Sequence, residues 1–295
     1  MEAPLTASGS STRVYLDGRL SFINADGYEI VCKSWKGHTD PRALVFVAHG
    51  FGEHCHGHKY DTLACALVRL GCCVFAHDHG KSEGPRATIK FFDTYVDDLL
   101  THVDVRRTAF PGKPVYLVGH STGGLICVLT IQRKPKDFAG MVLLGPLLGL
   151  DKQEATLFKR TVARLLRWVI PGLPLRKLPL EKVSRDPAVV KRLAEDPLYY
   201  HGSVTTGWLA AALAALEKMK ANVEAVGLPF LIQHGSEDKL CDPADSQQFF
   251  EKAPSEDKTI KIINGAYHNL LMEPDGVGPQ VRKDIVEWIS ARLPK

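Results

Sequence analysis

No stretch of this 295-residue chain is apolar for long enough to cross a bilayer. The longest such run, Met141 to Leu150, is ten residues, where a spanning helix needs about 20. The opening residues Met1 to Ser8 carry an acid and no apolar core, so they do not read as a secretory leader. Position 2 is Glu2 and not the glycine that N-myristoylation requires. A strong charge of either sign is also missing. The balance of 37 basic and 33 acidic residues leaves +4, too small a bias to argue for a nucleic-acid partner, and none is expected. There is no Cys-x-x-Cys pair among the seven cysteines (Cys32, Cys55, Cys65, Cys72, Cys73, Cys127, Cys241), which excludes a zinc ribbon and a dithiol redox motif. Their odd number and the apolar surroundings of Cys65, Cys72, Cys73 and Cys127 predict buried free thiols in a reducing compartment. The expectation is a cytoplasmic protein that is not secreted.

What is present is a rhythm. Ala43–Ala48, Cys72–Ala76, Val115–Val118, Met141–Leu144, Pro229–Ile232 and Thr259–Ile263 are short runs, most of them continuously apolar, as strands buried on both faces are. Apolar residues at helical spacing separate them, as in Tyr60-Leu63-Ala64-Leu67-Val68 and Phe92-Tyr95-Val96-Leu99-Leu100-Val103. Asp26-Gly27 between two apolar runs predicts an N-terminal hairpin. Strand–helix alternation of this kind predicts an α/β fold, a mostly parallel central sheet flanked by helices. Residues 1–12 read as a flexible tail. Residues 13–150 and 226–295 read as the core. Residues 151–225, rich in proline and without a buried strand run, read as an inserted helical cap.

Gly119-His120-Ser121-Thr122-Gly123 has the G-x-S-x-G form and lies between a strand and a helical run. That context fits a nucleophile elbow, in which Ser121 Oγ stands above the sheet and the N–H of Thr122 faces a developing oxyanion. A serine needs a base. Of the three histidines downstream, His201 lies in the insertion and His234 at a strand tip. His268 follows the last strand, in the loop position where ligands bind in such sheets. The acid is expected in the preceding loop. Asp238 is favoured there over Glu237, Asp242 and Asp245. The loop His49-Gly50-Phe51-Gly52-Glu53-His54 would supply a second oxyanion donor, the N–H of Phe51.

These residues resemble the monoacylglycerol lipase and lysophospholipase-like serine hydrolases of the α/β-hydrolase family. Besides the two glycine-rich segments, Phe75-Ala76-His77-Asp78-His79, Phe138–Leu143, Gly235-Ser236-Glu237-Asp238-Lys239-Leu240-Cys241-Asp242 and Gly265-Ala266-Tyr267-His268 carry the resemblance. It implies an α/β-hydrolase fold, a Ser121–Asp238–His268 triad, backbone donors at Phe51 and Thr122, and no metal or organic cofactor. Its implied activity is cleavage of the ester of monoacylglycerols, the alternatives being a lysophospholipase, another small-ester carboxylesterase, or a non-catalytic binding module. In the family, polar groups at the glycerol end include a glutamate, an arginine and a second histidine. Their places here hold Glu53, Lys59 and Leu271, and Cys241 matches one of the family's cysteines. Thr122 replaces the usual methionine after the nucleophile, and the loop after Asp78 is shortened.

Gly80-Lys81-Ser82 is no phosphate loop, since Phe75 stands where that motif needs glycine. The segment His54-Cys55-His56-Gly57-His58 reads as a solvated loop, with no metal assigned. In the cap, residues 151–192 hold eleven basic side chains against four acids, a local +7 that leaves −3 for the rest. Leu157, Phe158, Val162, Leu165, Leu166 and Val169 form an apolar stripe with Trp168 near its edge. Peripheral membrane contact through 151–192 and an ordinary cap helix packed on its own body explain this equally well.

Overall fold

The computed structural model describes residues 6–7, 10–14, 20–35, 37, 39–79, 89, 91–149 and 169–294. Its central sheet has ten strands. β1 (Thr6–Ala7), β2 (Ser10–Val14), β3 (Leu20–Ile23) and β4 (Glu29–Trp35) form an antiparallel meander. The stretch expected as a loose tail therefore contains strand. The β3–β4 hairpin turns at the Asp-Gly, where Gly27 has φ +83° and Asn24 N–H donates to the Tyr28 carbonyl at 2.9 Å.

Six parallel strands follow: β5 (Ala43–Ala48), β6 (Cys72–His77), β7 (Val115–His120), β8 (Gly140–Leu144), β11 (Phe230–Gly235) and β12 (Lys258–Ile263). Their spatial order is β6-β5-β7-β8-β11-β12, with β4 antiparallel beside β6. The chain runs from β5 out to β6 and returns to β7 on the other side of β5. A ligand-binding crevice forms at such a reversal, outside the carboxyl ends of the strands. Every residue of β5, β6, β7, β8 and β11 is buried, which is why their sequences are apolar without alternation.

Helices cover both faces. On one side, α2 (Asp93–Ala109) and α3 (Thr122–Arg133) enclose a core containing Phe46, Phe75, Leu99 and Leu117. On the other, α1 (His58–Arg69) and the C-terminal helix Val277–Ser290 bury Tyr60, Leu63, Ile285 and Ile289. Each such side chain removed from water contributes about 1.5–3 kcal/mol. All seven cysteines are free. Six are buried, and Cys65 is exposed on α1.

The inserted region, expected as a helical cap, holds strand as well as helix. Besides α4 (Pro187–Glu195), it carries a two-stranded antiparallel ribbon, β9 (Pro174–Lys177) with β10 (Ser203–Thr205). Its last helix, α5 (Thr206–Ala221), packs on α3 and places Trp208, Ala211, Ala212, Ala215, Leu216 and Met219 in the main core. The apolar stripe over 157–168 and the shortened loop at 80–88 lie outside the described residues. Among the described residues, no helix is long and apolar enough to cross a membrane.

Candidate active site

The carboxyl ends of β5, β7, β11 and β12 each deliver one part of the site. β7 ends at His120, and Ser121 takes φ +55° and ψ −119°, a backbone state that L-residues adopt only under strain of about 1–3 kcal/mol. The turn is held by Ser121 N–H donating to the Leu144 carbonyl at 3.0 Å, while the Ser121 carbonyl accepts from Gly124 and Leu147 N–H at 2.9 Å each.

Gly123 lets α3 start directly against β5. A Cβ there would stand 2.0 Å from the Ala48 carbonyl oxygen and 2.8 Å from that of His49. Both are backbone atoms beside a buried central strand, with little room to yield. Gly123→Ala should therefore destabilise the fold by about 3 kcal/mol or more, measured as a lower urea midpoint. A wild-type midpoint would show that β5 and α3 can part at no cost.

Asp238 lies in the loop after β11, and His268 lies after β12. His268 Nδ1 stands 2.7 Å from Asp238 Oδ2. Two backbone donors, Leu240 N at 2.8 Å and Cys241 N at 3.0 Å, fix the other oxygen, Oδ1. Burial works to raise the acid's pKa, but His268 and His234 outweigh it and hold the carboxyl well below the usual range. An ionised carboxylate only accepts, so His268 Nδ1 carries the proton and Nε2 keeps its lone pair. That is the tautomer a general base needs. Gly145, at φ +47°, leaves room above the pair, since a Cβ there would stand 3.3 Å from both Asp238 Oδ2 and His268 Nδ1.

His234 adds a grip that its reading as a structural residue at a strand tip did not foresee. Its Nε2 lies 3.1 Å from Asp238 Oδ2 and 3.0 Å from the Cys241 carbonyl, and its Nδ1 lies 2.8 Å from Ser246 Oγ. Nε2 faces two acceptors, so it bears the proton and Nδ1 accepts from the serine hydroxyl. The sequence signal was the i,i+4 spacing of His234 and Asp238 across the strand end. Cys241 is buried, two residues beyond Lys239 in the loop that carries Asp238. Burial foremost, and Asp238 next, push that thiol's pKa well up.

The loop after β5 presents Phe51 and, across the crevice, α3 presents Thr122 at its first position. Neither N–H donates to another backbone carbonyl among the described residues. The Phe51 ring meets Trp208 of α5 at 4.7 Å and Tyr200 at 5.8 Å, both edge-on. Two bonds tie the loop to the inserted region: Tyr200 N–H to the Gly52 carbonyl at 2.8 Å, and His54 Nε2 to Asp196 Oδ2 at 2.7 Å.

Glu53 and Lys59 do not stand as free substrate ligands. Glu53 Oε1 accepts from Lys59 Nζ at 2.5 Å, and its Oε2 accepts from Gly50 N–H at 2.9 Å and Tyr60 OH at 2.5 Å. Lys59 Nζ also reaches His120 Nδ1 at 3.2 Å and Asn269 Oδ1 at 3.4 Å. Burial works against the Glu53 charge, but Lys59 and His120 keep its pKa well below normal. Burial likewise lowers the Lys59 pKa against the pull of Glu53. The pair is a buried strut under the oxyanion loop. Leu271 is placed differently. It is buried in the core beneath the C-terminal helix, packed with Leu270, Val281 and Ile285, because an apolar side chain at that place follows the core and not the crevice.

A protein-family profile described as "Serine aminopeptidase, S33" matches residues 39–275. The monoglyceride lipase of Rattus norvegicus is 39% identical, with 92% of this chain and 90% of the relative aligned. That of Homo sapiens is 40% identical over 92% and 89%. Among solved structures, the monoacylglycerol lipase of Paleococcus ferrophilus superposes with a TM-score of 0.79 at 28% identity, covering 89% of this chain and 99% of that one. With the strained serine, the buried Asp–His pair and these likenesses together, the chain belongs to the S33-type serine hydrolases of the α/β-hydrolase fold, in the monoglyceride lipase family.

Proposed function

We propose that this chain cleaves the carboxylic ester of monoacylglycerols to fatty acid and glycerol through an acyl-enzyme on Ser121. His268 Nε2 takes the serine proton as Oγ attacks the ester carbonyl. The N–H groups of Phe51 and Thr122 receive the oxyanion, and Asp238 stabilises the imidazolium. The imidazolium then protonates the departing glycerol oxygen, and the same base activates water to release the fatty acid. The observation that carries this reading is the 2.7 Å Asp238–His268 bond beside a serine at φ +55°, in a chain 39–40% identical to monoglyceride lipases. The aromatic wall of Phe51, Tyr200 and Trp208 suits an acyl chain.

A panel of a monoacylglycerol, the matching lysophospholipid and a short-chain ester, compared by kcat/KM, tests it. The monoacylglycerol should exceed the lysophospholipid by about ten-fold or more, since the site must desolvate a charged headgroup to take the latter. The reverse order would assign a lysophospholipase. Failure of a fluorophosphonate to label Ser121 would leave a binding module.

The inserted region is also proposed to meet a lipid surface. Val169, Ile170 and Leu175 are exposed at 76%, 48% and 45%, next to Arg176 and Lys177. Exposed apolar groups beside basic ones suit an anionic interface. Co-sedimentation with vesicles of phosphatidylcholine, with and without phosphatidylserine, reads this contact. Ile170→Glu together with Leu175→Glu should weaken it, and wild-type protein that ignores both vesicles would refute it.

A further inference from the structure

The segment His54–His58 was expected to be solvated, yet only part of it is. Cys55 is fully buried, and its backbone N–H donates to Asp78 Oδ1 at 2.7 Å. Its Sγ lies 3.4 Å from Nδ1 of His56, whose side chain is exposed. One ligand atom each from Cys55, His56 and Asp78 falls within 4.8 Å of the other two, the single such group among the described residues. A tetrahedral zinc with bonds of about 2.3 Å to sulfur and about 2.05 Å to nitrogen holds those two atoms about 3.6 Å apart. The Cys55–His56 pair already has that spacing. Thiolate, imidazole and carboxylate together suit Zn²⁺ or Co²⁺, not Mg²⁺ or Ca²⁺.

We propose that Cys55, His56 and Asp78 bind one Zn²⁺-class ion, with water entering as fourth ligand from the exposed His56 side, and that this ion restrains the oxyanion loop. The connection is short. His79, next to Asp78 in the chain, donates its N–H to His49 Nε2 at 3.0 Å, and His49 Nδ1 donates to the Gly50 carbonyl at 2.8 Å, in the turn that presents Phe51. An ion fixing Asp78 and Cys55 stiffens the segment that must admit the ester carbonyl, so occupancy lowers turnover. Binding forms the sulfur–metal bond as the Cys55 S–H proton leaves to solvent, with no change of oxidation state.

The test is titration of the full-length, tag-free, chelator-stripped protein with Zn²⁺ by calorimetry and with Co²⁺ by absorption. The expected result is one equivalent bound, about one proton released, and a thiolate-to-cobalt charge-transfer band that Cys55→Ser abolishes. His56→Ala, at an exposed position that leaves the fold intact, should weaken Zn²⁺ by about ten-fold or more. It should also make turnover insensitive to the metal. Absence of saturable binding would overturn the proposal. So would binding that His56→Ala leaves unchanged, which means an adventitious ion only. Stoichiometric Zn²⁺ binding with unaltered turnover would overturn the restraint of the loop.

Discussion

Replacing Ser121 with alanine should lower kcat on a monoacylglycerol by a factor on the order of a million, about 8 kcal/mol of transition-state stabilisation. The loss should appear in kcat, with thermal stability close to wild type, because the serine hydroxyl makes no bond on which the elbow's backbone depends. The Leu144, Gly124 and Leu147 bonds all run through the main chain of residue 121. His268→Ala should cost a similar factor, and the double variant should lose little more, since nucleophile and base act as one unit. Asp238→Asn is expected to cost about 10⁴-fold. It leaves His268 Nδ1 facing an amide that can also donate, which favours the wrong tautomer, and it weakens the hold of His234 on the same oxygen. Single-turnover assays with active-site titration would check the series. A Ser121→Ala enzyme retaining a tenth of wild-type turnover would assign the chemistry elsewhere.

The parallel strands were legible because burial on both faces forces continuous apolar runs, and the elbow because its glycines and serine are adjacent in sequence. Other features had no local signal. The ribbon β9–β10 pairs an exposed four-residue strand with a half-buried three-residue one, both too short for alternation to show. Helix α5, with the sequence Thr-Gly-Trp-Leu-Ala-Ala-Ala-Leu-Ala-Ala-Leu, is apolar nearly all round, so it read as part of an insertion although it packs into the main core. The Glu53–Lys59 strut depends on α1 folding back under its own preceding loop. Leu271 stands at a place that is polar in the family, and the local chain there serves the hydrophobic core. The least legible feature is the set of buried imidazoles. Four come from His49, His77, His79 and His102, which share no sequence period, and only three-dimensional packing brings them together.

Those imidazoles make the protein acid-labile in a defined window. His49 and His79 have ring centroids 4.4 Å apart, His79 and His77 4.8 Å, and His77 and His102 5.2 Å. Arg106 Nε donates to His102 Nε2 at 3.4 Å, so His102 bears its proton on Nδ1 and offers it to His77 Nδ1 at 3.2 Å. No further proton can be added without burying a charge beside Arg106. Burial lowers the pKa of all four and of His120, to about 3 for His77 and about 4 for His120. Depressed folded values mean that the unfolded chain takes up protons first, near its ordinary pKa of about 6.5. Their stabilisation is therefore complete above that pH and drains away as pH falls towards 4. A histidine at about 4 in the fold loses about 2 kcal/mol between pH 6.5 and 5. Asp98 acts in the opposite direction. Burial raises its pKa to about 7, so acidification favours its folded form and offsets about one histidine. Glu53 and Asp238, with depressed carboxyl pKa values, lose their contribution only below about pH 4. His77 and His120 together lose about 4 kcal/mol by pH 5, Asp98 returns about half of that, and His49, His79 and His102 add to the loss in the same direction. Circular-dichroism melts from pH 7.5 to 4.5 should show a Tm steady above pH 7 and falling steeply below 6.5. His102→Leu should flatten that slope by about 1.4 kcal/mol per pH unit. A Tm unchanged between pH 7.5 and 5 would mean that the imidazoles reach water in the folded state.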